Sequence, residues 1–312
     1  MSDQTISTPK QASPPKRNSL LARVVRSRYL YLALTPALIL LLIFEWYPAV
    51  SAFYNSFFLW NGGKLHKFVG WENYQFLFQD RAFIASLGNL ALFLVFRIVM
   101  QAIFPFIAAE LIVNLRSERW SNWWKTIFVF PMVVPSILLY LIWRFVYNPQ
   151  VGVLNKLLEL VGMGELGRAW LADPATALWA VAFVGFPYLP TLQFLIILGG
   201  LQAIPKEIIE SAKLDGANWL SRIRFIDLPM VRSQLILSML LTAIFLTQRF
   251  DSFLILTDGG PGYSTMVPAL HLYQSAFNFL EFGYASAIGV IMFVIMMALT
   301  VLNMRLSNSQ ER

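Results

Sequence analysis

The chain has 312 residues, of which 57% are hydrophobic and only 13% are charged. This composition excludes an ordinary soluble domain, in which about a quarter of the residues are charged. A net charge of +7 is compatible with nucleic-acid binding, but no basic stripe with interleaved aromatic residues is present, so we expect no nucleic-acid partner. The absence of cysteine excludes disulfides, thiolate catalysis and zinc–cysteine sites.

The first residues are polar. Residues 1–28 are rich in Ser, Pro, Gln and Lys, a composition that predicts a disordered, basic N-terminal tail. The apolar run that follows is longer than the core of a cleaved signal peptide, so we expect it to remain as a membrane helix.

Six hydrophobic segments follow one another along the chain. A helix that crosses a bilayer needs about 20 predominantly apolar residues, and each segment reaches that length. We number them as spans one to six, and they cover residues 29–53, 82–112, 126–147, 174–203, 231–256 and 282–304. The pattern predicts an all-α polytopic membrane protein with six transmembrane helices in one domain, residues 29–306, followed by a short tail, residues 307–312.

Charged residues inside these spans are few. Arg97 and Glu110 lie in span two and Arg144 lies in span three. Because an unpaired charge in a bilayer is costly, we interpret all three as structural pairs at helix ends or between helices.

Span three carries its own signals for irregularity. Residues 116–125 predict a short charged turn ahead of the span, and Pro131 and Pro135 predict bends within it. After the span, residues 152–161 predict a short amphipathic helix in an outer loop.

The segment between spans four and five, residues 204–230, is the longest polar interruption in the second half of the chain, and we call it the central loop. Its residues predict two short helices joined by a turn. Pro205 suits a first helical turn, Gly216 suits a helix end, and Asn218 can cap the second helix. One face of the first helix is apolar at helical spacing; it is formed by Ile204, Ile208, Ile209 and Ala212.

The distribution of Lys and Arg predicts the orientation in the membrane. If both tails, residues 116–125 and the central loop lie on one side, most of the 24 basic residues fall on that side. The opposite loops hold only Lys64, Lys67, Arg81, Lys156 and Arg168. Because basic residues favour the cytosolic side, we expect a multi-pass protein of the cell membrane with both termini and the central loop in the cytosol.

No site for covalent chemistry is predicted. His66 and His271 lie far apart in sequence, and we interpret them as exposed loop residues rather than metal ligands. The only Gly-Lys pair, Gly63–Lys64, lacks the upstream glycine of a phosphate-binding loop. The chain is therefore not expected to be an enzyme or to hold a cofactor, and ATP with Mg²⁺ would be bound by a partner polypeptide.

The central loop has a recognisable spacing: Glu-x-Ala, three residues, Gly, nine residues, Ile-x-Leu-Pro. This pattern resembles the Glu-Ala-Ala loop of ABC importer permeases, with Ser211 at the middle position. A cytosolic helix with an apolar face can lie in a groove of a partner ATPase, and closure of the ATPases would then move spans four and five. The expected ATPase-coupling residues are Glu210, Ser211, Ala212, Asp215, Gly216, Ile226, Leu228 and Pro229.

Other stretches extend the resemblance over residues 31–306, to the MalF/UgpA-type permeases of carbohydrate ABC importers. They are residues 69–74, 152–155, 185–188 and 257–261. The resemblance implies the type I ABC importer permease fold. It also implies a second permease subunit that forms a heterodimer with this chain, two ATP-binding subunits and an external solute-binding protein.

Polar residues inside spans four and five mark a candidate solute pathway. They are Tyr188, Gln193, Gln248, Arg249, Asp251 and Ser252. The resemblance adds Gly185 and favours Tyr188 and Arg249 among them. For Arg249 the alternative is an ion pair within the protein, with Asp251 or between helices.

The function that best fits these features is ATP-driven import of a sugar or oligosaccharide. An alternative is import of glycerol phosphate or another anionic solute, because an arginine near the pathway suits an anion. A different class is an ion-coupled secondary transporter, for which Asp251 could serve as the titratable residue. An ion-coupled transporter leaves the central loop unexplained. A membrane scaffold without transport activity leaves the polar residues of the spans unexplained.

Overall fold

A computed structural model describes residues 28–308, without the side chains of residues 28, 30, 31 and 302–308. The predicted N-terminal tail therefore lies outside the described residues, except for Arg28, which begins the first helix. The predicted C-terminal tail also lies outside them, except for residues 307 and 308, which continue the last helix.

Span one is a single helix without interruption. It consists of α1 (Arg28–Leu41), a π-helical stretch (Leu42–Trp46) and α2 (Tyr47–Asn55). Residues Leu32–Asn55 are long and apolar enough to cross a membrane.

The loop after span one contains the one small sheet in the described part of the chain. Strand β1 (Phe58–Trp60) pairs antiparallel with β2 (His66–Phe68), and the short helix α3 (Glu72–Leu77) follows. The side-chain amide of Asn73 donates to the carbonyls of Ser56 and Phe58, at 2.8 and 3.0 Å. This hairpin is a local feature of a loop, so the predicted all-α class is confirmed.

Span two is α4 (Arg81–Val113), a helix of 33 residues. Asp80 caps it by accepting the Ala82 N–H at 2.9 Å. The same carboxylate lies 2.8 Å from His271 Nε2 and accepts the Tyr284 hydroxyl at 2.8 Å. Burial raises the pKa of Asp80, but the bonds from Tyr284 and Ala82 and the neighbouring His271 outweigh burial and lower it.

The interpretation of His271 as an exposed loop residue is therefore wrong. The residue is only 8% exposed, because α15 (Pro268–Tyr273) packs against the last helix and turns the imidazole toward Asp80.

The predicted charged turn before span three is also wrong. Residues 116–125 mostly belong to α5 (Glu118–Val129), which continues through a 3₁₀ turn (Phe130–Val133). The apolar residues Trp120, Trp123, Trp124 and Ile127 recur at helical spacing, and this period outweighs the charges that suggested a turn. The bend at the prolines is confirmed, because α6 (Ser136–Val146) leaves the 3₁₀ turn at an angle of 91°.

Spans four and five are each broken into two helices, where continuous helices were expected. Span four consists of α8 (Ala177–Phe183) and α9 (Thr191–Gln202), and span five of α13 (Arg232–Gln248) and α14 (Asp251–Leu256). In span four, Pro187 and Pro190 interrupt the helix because proline lacks the N–H that the helical hydrogen bond requires. Gly185 in the same break has a φ of +83°, which glycine adopts readily.

The remaining elements belong to loops and to span six. After span three come α7 (Val153–Leu160), which confirms the expected short helix, and a 3₁₀ turn (Gly164–Leu166). Span six is α16 (Phe282–Asn308), preceded by a π-helical stretch (Gln274–Asn278). The central loop forms α10 (Lys206–Leu214), α11 (Trp219–Arg222), a π-helical stretch (Ile223–Asp227) and α12 (Leu228–Met230).

Helix α4 is the centre of the packing, because it contacts both α9 and α13. Three apolar cores of the described residues include residues of α4. They contain Phe93, Val181 and Phe253, then Ala109, Phe194 and Val231, and then Phe83, Tyr284 and Ile288. Among residues 28–308, three helices are long and apolar enough to cross a membrane, and up to six spans result if each bent helix pair counts as one.

Candidate coupling surface and solute cavity

The first helix of the central loop ends as the sequence predicts. Gly216 has a φ of +78°, and its N–H donates to the carbonyl of Lys213 at 3.1 Å. The next N–H, of Ala217, donates to the carbonyl of Ala212 at 2.9 Å. These two bonds satisfy carbonyls at the helix end, and the left-handed residue between them turns the chain sharply.

The second helix of the central loop also begins as predicted. The side-chain oxygen of Asn218 accepts the N–H of Ser221 at 2.8 Å, so Asn218 is the N-cap of α11. Because both helix ends are satisfied locally, the central loop is a defined helix–turn–helix rather than an irregular connector.

The central loop meets its two spans at steep angles. The angle is 67° between α9 and α10, and 67° again between the α11–α12 segment and α13. Ile204 and Ala212 are buried, Ile209 is half-buried, and Ile208 is 39% exposed. The predicted apolar face is thus buried except for Ile208.

Other residues of the central loop expose large apolar side chains. The exposed fraction is 89% for Leu214, 68% for Leu220 and 70% for Phe225. Exposed apolar residues gathered on one element indicate an interaction surface.

The motif residues of the central loop divide by exposure. Glu210 and Asp215 are exposed, and the Glu210 side chain has no hydrogen bond or ion pair with any described residue. Ser211, Gly216, Leu228 and Pro229 are exposed as well, Ile226 is half-buried and Ala212 is buried. A free carboxylate beside exposed apolar residues is suited to meet a polar group of a partner.

A cavity of about 470 Å³ lies between spans two, three, four and five, and we call it the span cavity. Four predicted pathway residues line it: Gly185, Tyr188, Arg249 and Ser252. The other three, Gln193, Gln248 and Asp251, are not among its lining residues. Sequence reasoning missed four further polar residues of the lining, which are Arg97, Gln101, Ser136 and Tyr140.

Arg249 lies in the break of span five and forms an ion pair. Its Nη2 is 2.9 Å from Asp251 Oδ2, and the side chains remain 45% and 36% exposed. Arg249 also donates to the hydroxyl of Tyr140, which in turn donates to Asp251 at 3.0 Å. Arg249 therefore forms an ion pair within the protein and also lines the span cavity.

Tyr188 is enclosed rather than open. It is 2% exposed, and its hydroxyl donates to the carbonyl of Ala182 at 2.7 Å. The guanidinium of Arg97 lies over its ring, 4.5 Å from the centroid. Tyr188 thus shapes the span cavity, with its hydroxyl already bound to the end of α8.

Arg97 is held by carbonyls, so the structural pair expected for it is not an ion pair. Its Nη1 donates to the carbonyls of Ala182 and Val184, at 3.2 and 2.8 Å. The amide oxygen of Gln101, in the orientation that satisfies both groups, accepts from Arg97 at 2.9 Å. Cations are stabilised at a helix C-terminus, and here that terminus is the broken end of α8.

Gln193 and Gln248 serve helix packing. Gln193 donates to the hydroxyl of Thr242 at 3.0 Å and so joins α9 to α13. The Gln248 amide lies 3.4 Å from the sulfur of Met296 in α16.

Arg144 makes no ion pair with any described residue, so the ion pair expected for it is not formed. It lines a second cavity, of about 730 Å³, beside residues 257–261.

Glu110 does form an expected structural pair. It lies 3.4 Å from Arg222, which also binds Asp227 at 2.7 Å. Neither Arg222 nor Asp227 was singled out by sequence reasoning, because charged residues in a polar loop normally face solvent.

Two relatives cover nearly the whole chain. The "Probable ABC transporter permease protein YurN" of Bacillus subtilis is 35% identical over 276 residues, which are 88% of this chain and 94% of the relative. The "Trehalose/maltose transport system permease protein MalF" of Thermococcus litoralis is 29% identical over 284 residues, 88% of this chain and 92% of the relative.

A solved structure confirms the fold. The crystal structure of a bacterial alginate ABC transporter, in complex with an alginate pentasaccharide-bound periplasmic protein, contains a chain that matches with a TM-score of 0.80 at 19% identity. The match covers 92% of this chain and 96% of that one, so the predicted type I ABC importer permease fold is confirmed.

Residues 101–311 match the family described as "Binding-protein-dependent transport system inner membrane component". Since that match covers more than half of the residues, the chain belongs to this family of membrane-embedded transport components.

Proposed function

We propose that this chain is the permease subunit of an ATP-driven importer that moves a sugar or oligosaccharide across the cell membrane. The observation that carries the proposal is the central loop, a capped helix–turn–helix with exposed apolar residues and a free Glu210. Such a surface is suited to lie in a groove of a separate ATPase. This chain itself contributes no phosphate-binding loop, so ATP and Mg²⁺ belong to two partner ATPase subunits.

Coupling follows from the way the central loop is attached. It joins α9 and α13 through bends of 67°, so a push on the loop rotates both spans. These two helices both pack against α4, which lines the span cavity together with Leu246 of α13 and residues 184–190 just ahead of α9. Movement of the loop would therefore change the shape of the span cavity.

The proposed solute pathway passes the span cavity. Arg249 and Tyr140 line this cavity, and Asp251, which is not part of the lining, binds both of them. A guanidinium donates hydrogen bonds to sugar hydroxyls. Arg97 adds a second cation to the lining, so the proposed solute class rests on the relatives and not on the charge of the cavity. The trehalose/maltose relative, at 29% identity, supports the same solute class.

The other proposed partners are a second permease subunit, which forms a heterodimer with this chain, and an external solute-binding protein. Membrane lipid surrounds the spans. The orientation we propose places both termini and the central loop in the cytosol.

The proposal is tested by reconstituting the four-subunit complex in liposomes with its binding protein and ATP. We expect uptake of a radiolabelled oligosaccharide only when both ATP and the solute-loaded binding protein are present. Uptake by this chain alone, driven by an ion gradient and without an ATPase, would establish a secondary transporter instead. Uptake of anionic solutes with exclusion of neutral sugars would contradict the proposed solute class.

A further inference from the structure

A buried cluster of charges connects the central loop to span two. Arg222, at the end of α11, donates from Nε to Asp227 at 2.7 Å and from Nη2 to Asn114 at 2.7 Å. Its Nη2 also lies 3.4 Å from Glu110 Oε2. Glu110 and Asn114 belong to the end of α4, more than 100 positions away in sequence.

The cluster is closed to solvent. The exposed fraction of the side chain is 11% for Arg222, 2% for Glu110 and 3% for Asp227. One guanidinium therefore faces two buried carboxylates, and Glu110 Oε1 has no hydrogen-bond partner among the described residues. Arg222 is the one cation that the described part of the chain places against both acids.

The cluster has one cation for two buried acids, and this makes it unfavourable to separate the central loop from α4. If the central loop moved away from α4, Glu110 would remain buried without a cation, and an unpaired buried charge is strongly destabilising. Arg222 would move with Asp227, to which it is bound at 2.7 Å, so Glu110 alone would lose its partner and would have to take up a proton to stay buried.

The local backbone supports the arrangement. Residues Ile223–Asp227 form a π-helical stretch, in which hydrogen bonds span five residues rather than four. The wider turn brings Arg222 and Asp227, five positions apart, to the same side of the helix. The N–H of Leu228 closes this turn on the carbonyl of Ile223.

Apolar packing holds the same region together. Ala109 and Ile112 of α4 pack in one core with Ile204 and Val231, which flank the central loop. Helix α4 thus contacts both ends of the loop, and the charge cluster adds a polar link near its middle.

We infer that Arg222 is a positioning residue that joins the central loop to span two, so that span two moves with the loop during transport. The inference rests on the proposed coupling function and extends it. Spans four and five are joined to the loop by the chain itself, and Arg222 makes span two a third element that responds to the ATPases. Span two also carries Arg97 and Gln101 into the wall of the span cavity, so its movement changes that wall.

The test compares uptake with ATP hydrolysis in the reconstituted complex. In an Arg222→Met variant, we expect the number of solute molecules imported per ATP to fall about tenfold, a typical size for coupling between sites. ATP hydrolysis should continue, because Glu210 and the exposed apolar residues of the central loop, which would contact the ATPase, are unchanged. An Arg222→Lys variant should be intermediate, since one ammonium cannot reproduce the fork that reaches all three partners.

The matched control is Arg116→Met, which removes an exposed arginine just beyond the end of α4. Arg116 makes no ion pair with any described residue, so we expect the wild-type ratio of uptake to hydrolysis.

If Arg222→Met does not assemble, Asn114→Ala decides the question. Asn114 is exposed and uncharged, so its replacement removes its bonds to Arg222 and to Glu110 Oε2 and leaves the ion pair between Arg222 and Glu110 in place. An unchanged ratio of uptake to hydrolysis in the assembled Arg222→Met or Asn114→Ala complex would overturn the inference and leave the proposed function intact. A wild-type complex that imports nothing would overturn both.

Discussion

At the scale of single residues, Arg249 combines two roles that are usually considered alternatives. Its pair with Asp251 satisfies the charge, and an exposed fraction of 45% leaves the guanidinium accessible from the span cavity. A residue that only stabilised the break in span five would have no reason to remain so open. The geometry favours direct contact between the solute and this pair.

We therefore predict that Arg249→Ala lowers uptake by the assembled complex about tenfold, because a hydrogen bond to a charged group contributes about 1.5–3 kcal/mol. The measurement is the initial uptake rate at saturating binding protein, with assembly checked by co-purification of the subunits.

The chain offers a matched control for this change. Arg168 forms an ion pair with Asp173 at 3.9 Å, and the two side chains are 43% and 38% exposed. This pair lies outside the span cavity. Arg168→Ala should leave uptake unchanged, whereas equal losses in both variants would show that Arg249 has no specific contact with the solute.

Individual residues also show what a sequence can reveal. Arg249 and Asp251 could be identified from the sequence as candidate functional residues because charges within an apolar segment are rare and costly. Arg222 could not be identified in this way, because it is one of many charged residues in a polar loop. Its partner Glu110 lies 112 positions away, and only the folded chain brings the two together.

At the scale of elements, local chemistry predicted the helix ends better than the continuity of the spans. Gly216 and Asn218 have signals within a few residues, and both ends form as predicted. The breaks in spans four and five were missed because apolar composition gives the length of a span and says little about its hydrogen bonding.

The turn at Gly216 leads to a prediction for the central loop. Proline fixes φ near −65°, whereas Gly216 has a φ of +78° and donates its N–H to Lys213. Gly216→Pro should displace α11 from α10 and abolish the stimulation of ATP hydrolysis by the loaded binding protein. The ATPase rate of the reconstituted complex, with and without that protein, measures the effect.

Gly162 is the control for this prediction. It follows α7, has a φ of +77°, and donates its N–H to Glu159 at 3.1 Å, as Gly216 does to Lys213. A Cβ atom at either glycine would meet nothing within 4 Å, so the two substitutions disturb equivalent turns. Stimulation that survives Gly216→Pro as well as Gly162→Pro would exclude the central loop as the coupling element.

At the scale of the whole molecule, the sequence predicted six spans, and the described residues form up to six candidate spans by length and composition. The sequence did not predict how these spans pack. That α4 packs against both α9 and α13 depends on contacts between distant segments. Hydrophobic periodicity cannot show such contacts when a helix is apolar on every side. The orientation, in contrast, rests on charge alone and can be tested directly.

The chain has no cysteine, so single cysteines can be introduced without removing any native thiol. Ser117 and Glu165 are both exposed; Ser117 precedes span three, and Glu165 lies in the loop that follows it. In right-side-out membrane vesicles, Glu165→Cys should react with a membrane-impermeant maleimide, and Ser117→Cys should react only after the vesicles are permeabilised. The unlabelled cysteine-free chain provides the background. Because basic residues favour the cytosolic side, labelling of Ser117→Cys in intact vesicles would reverse the orientation and place the central loop out of reach of any cytosolic ATPase.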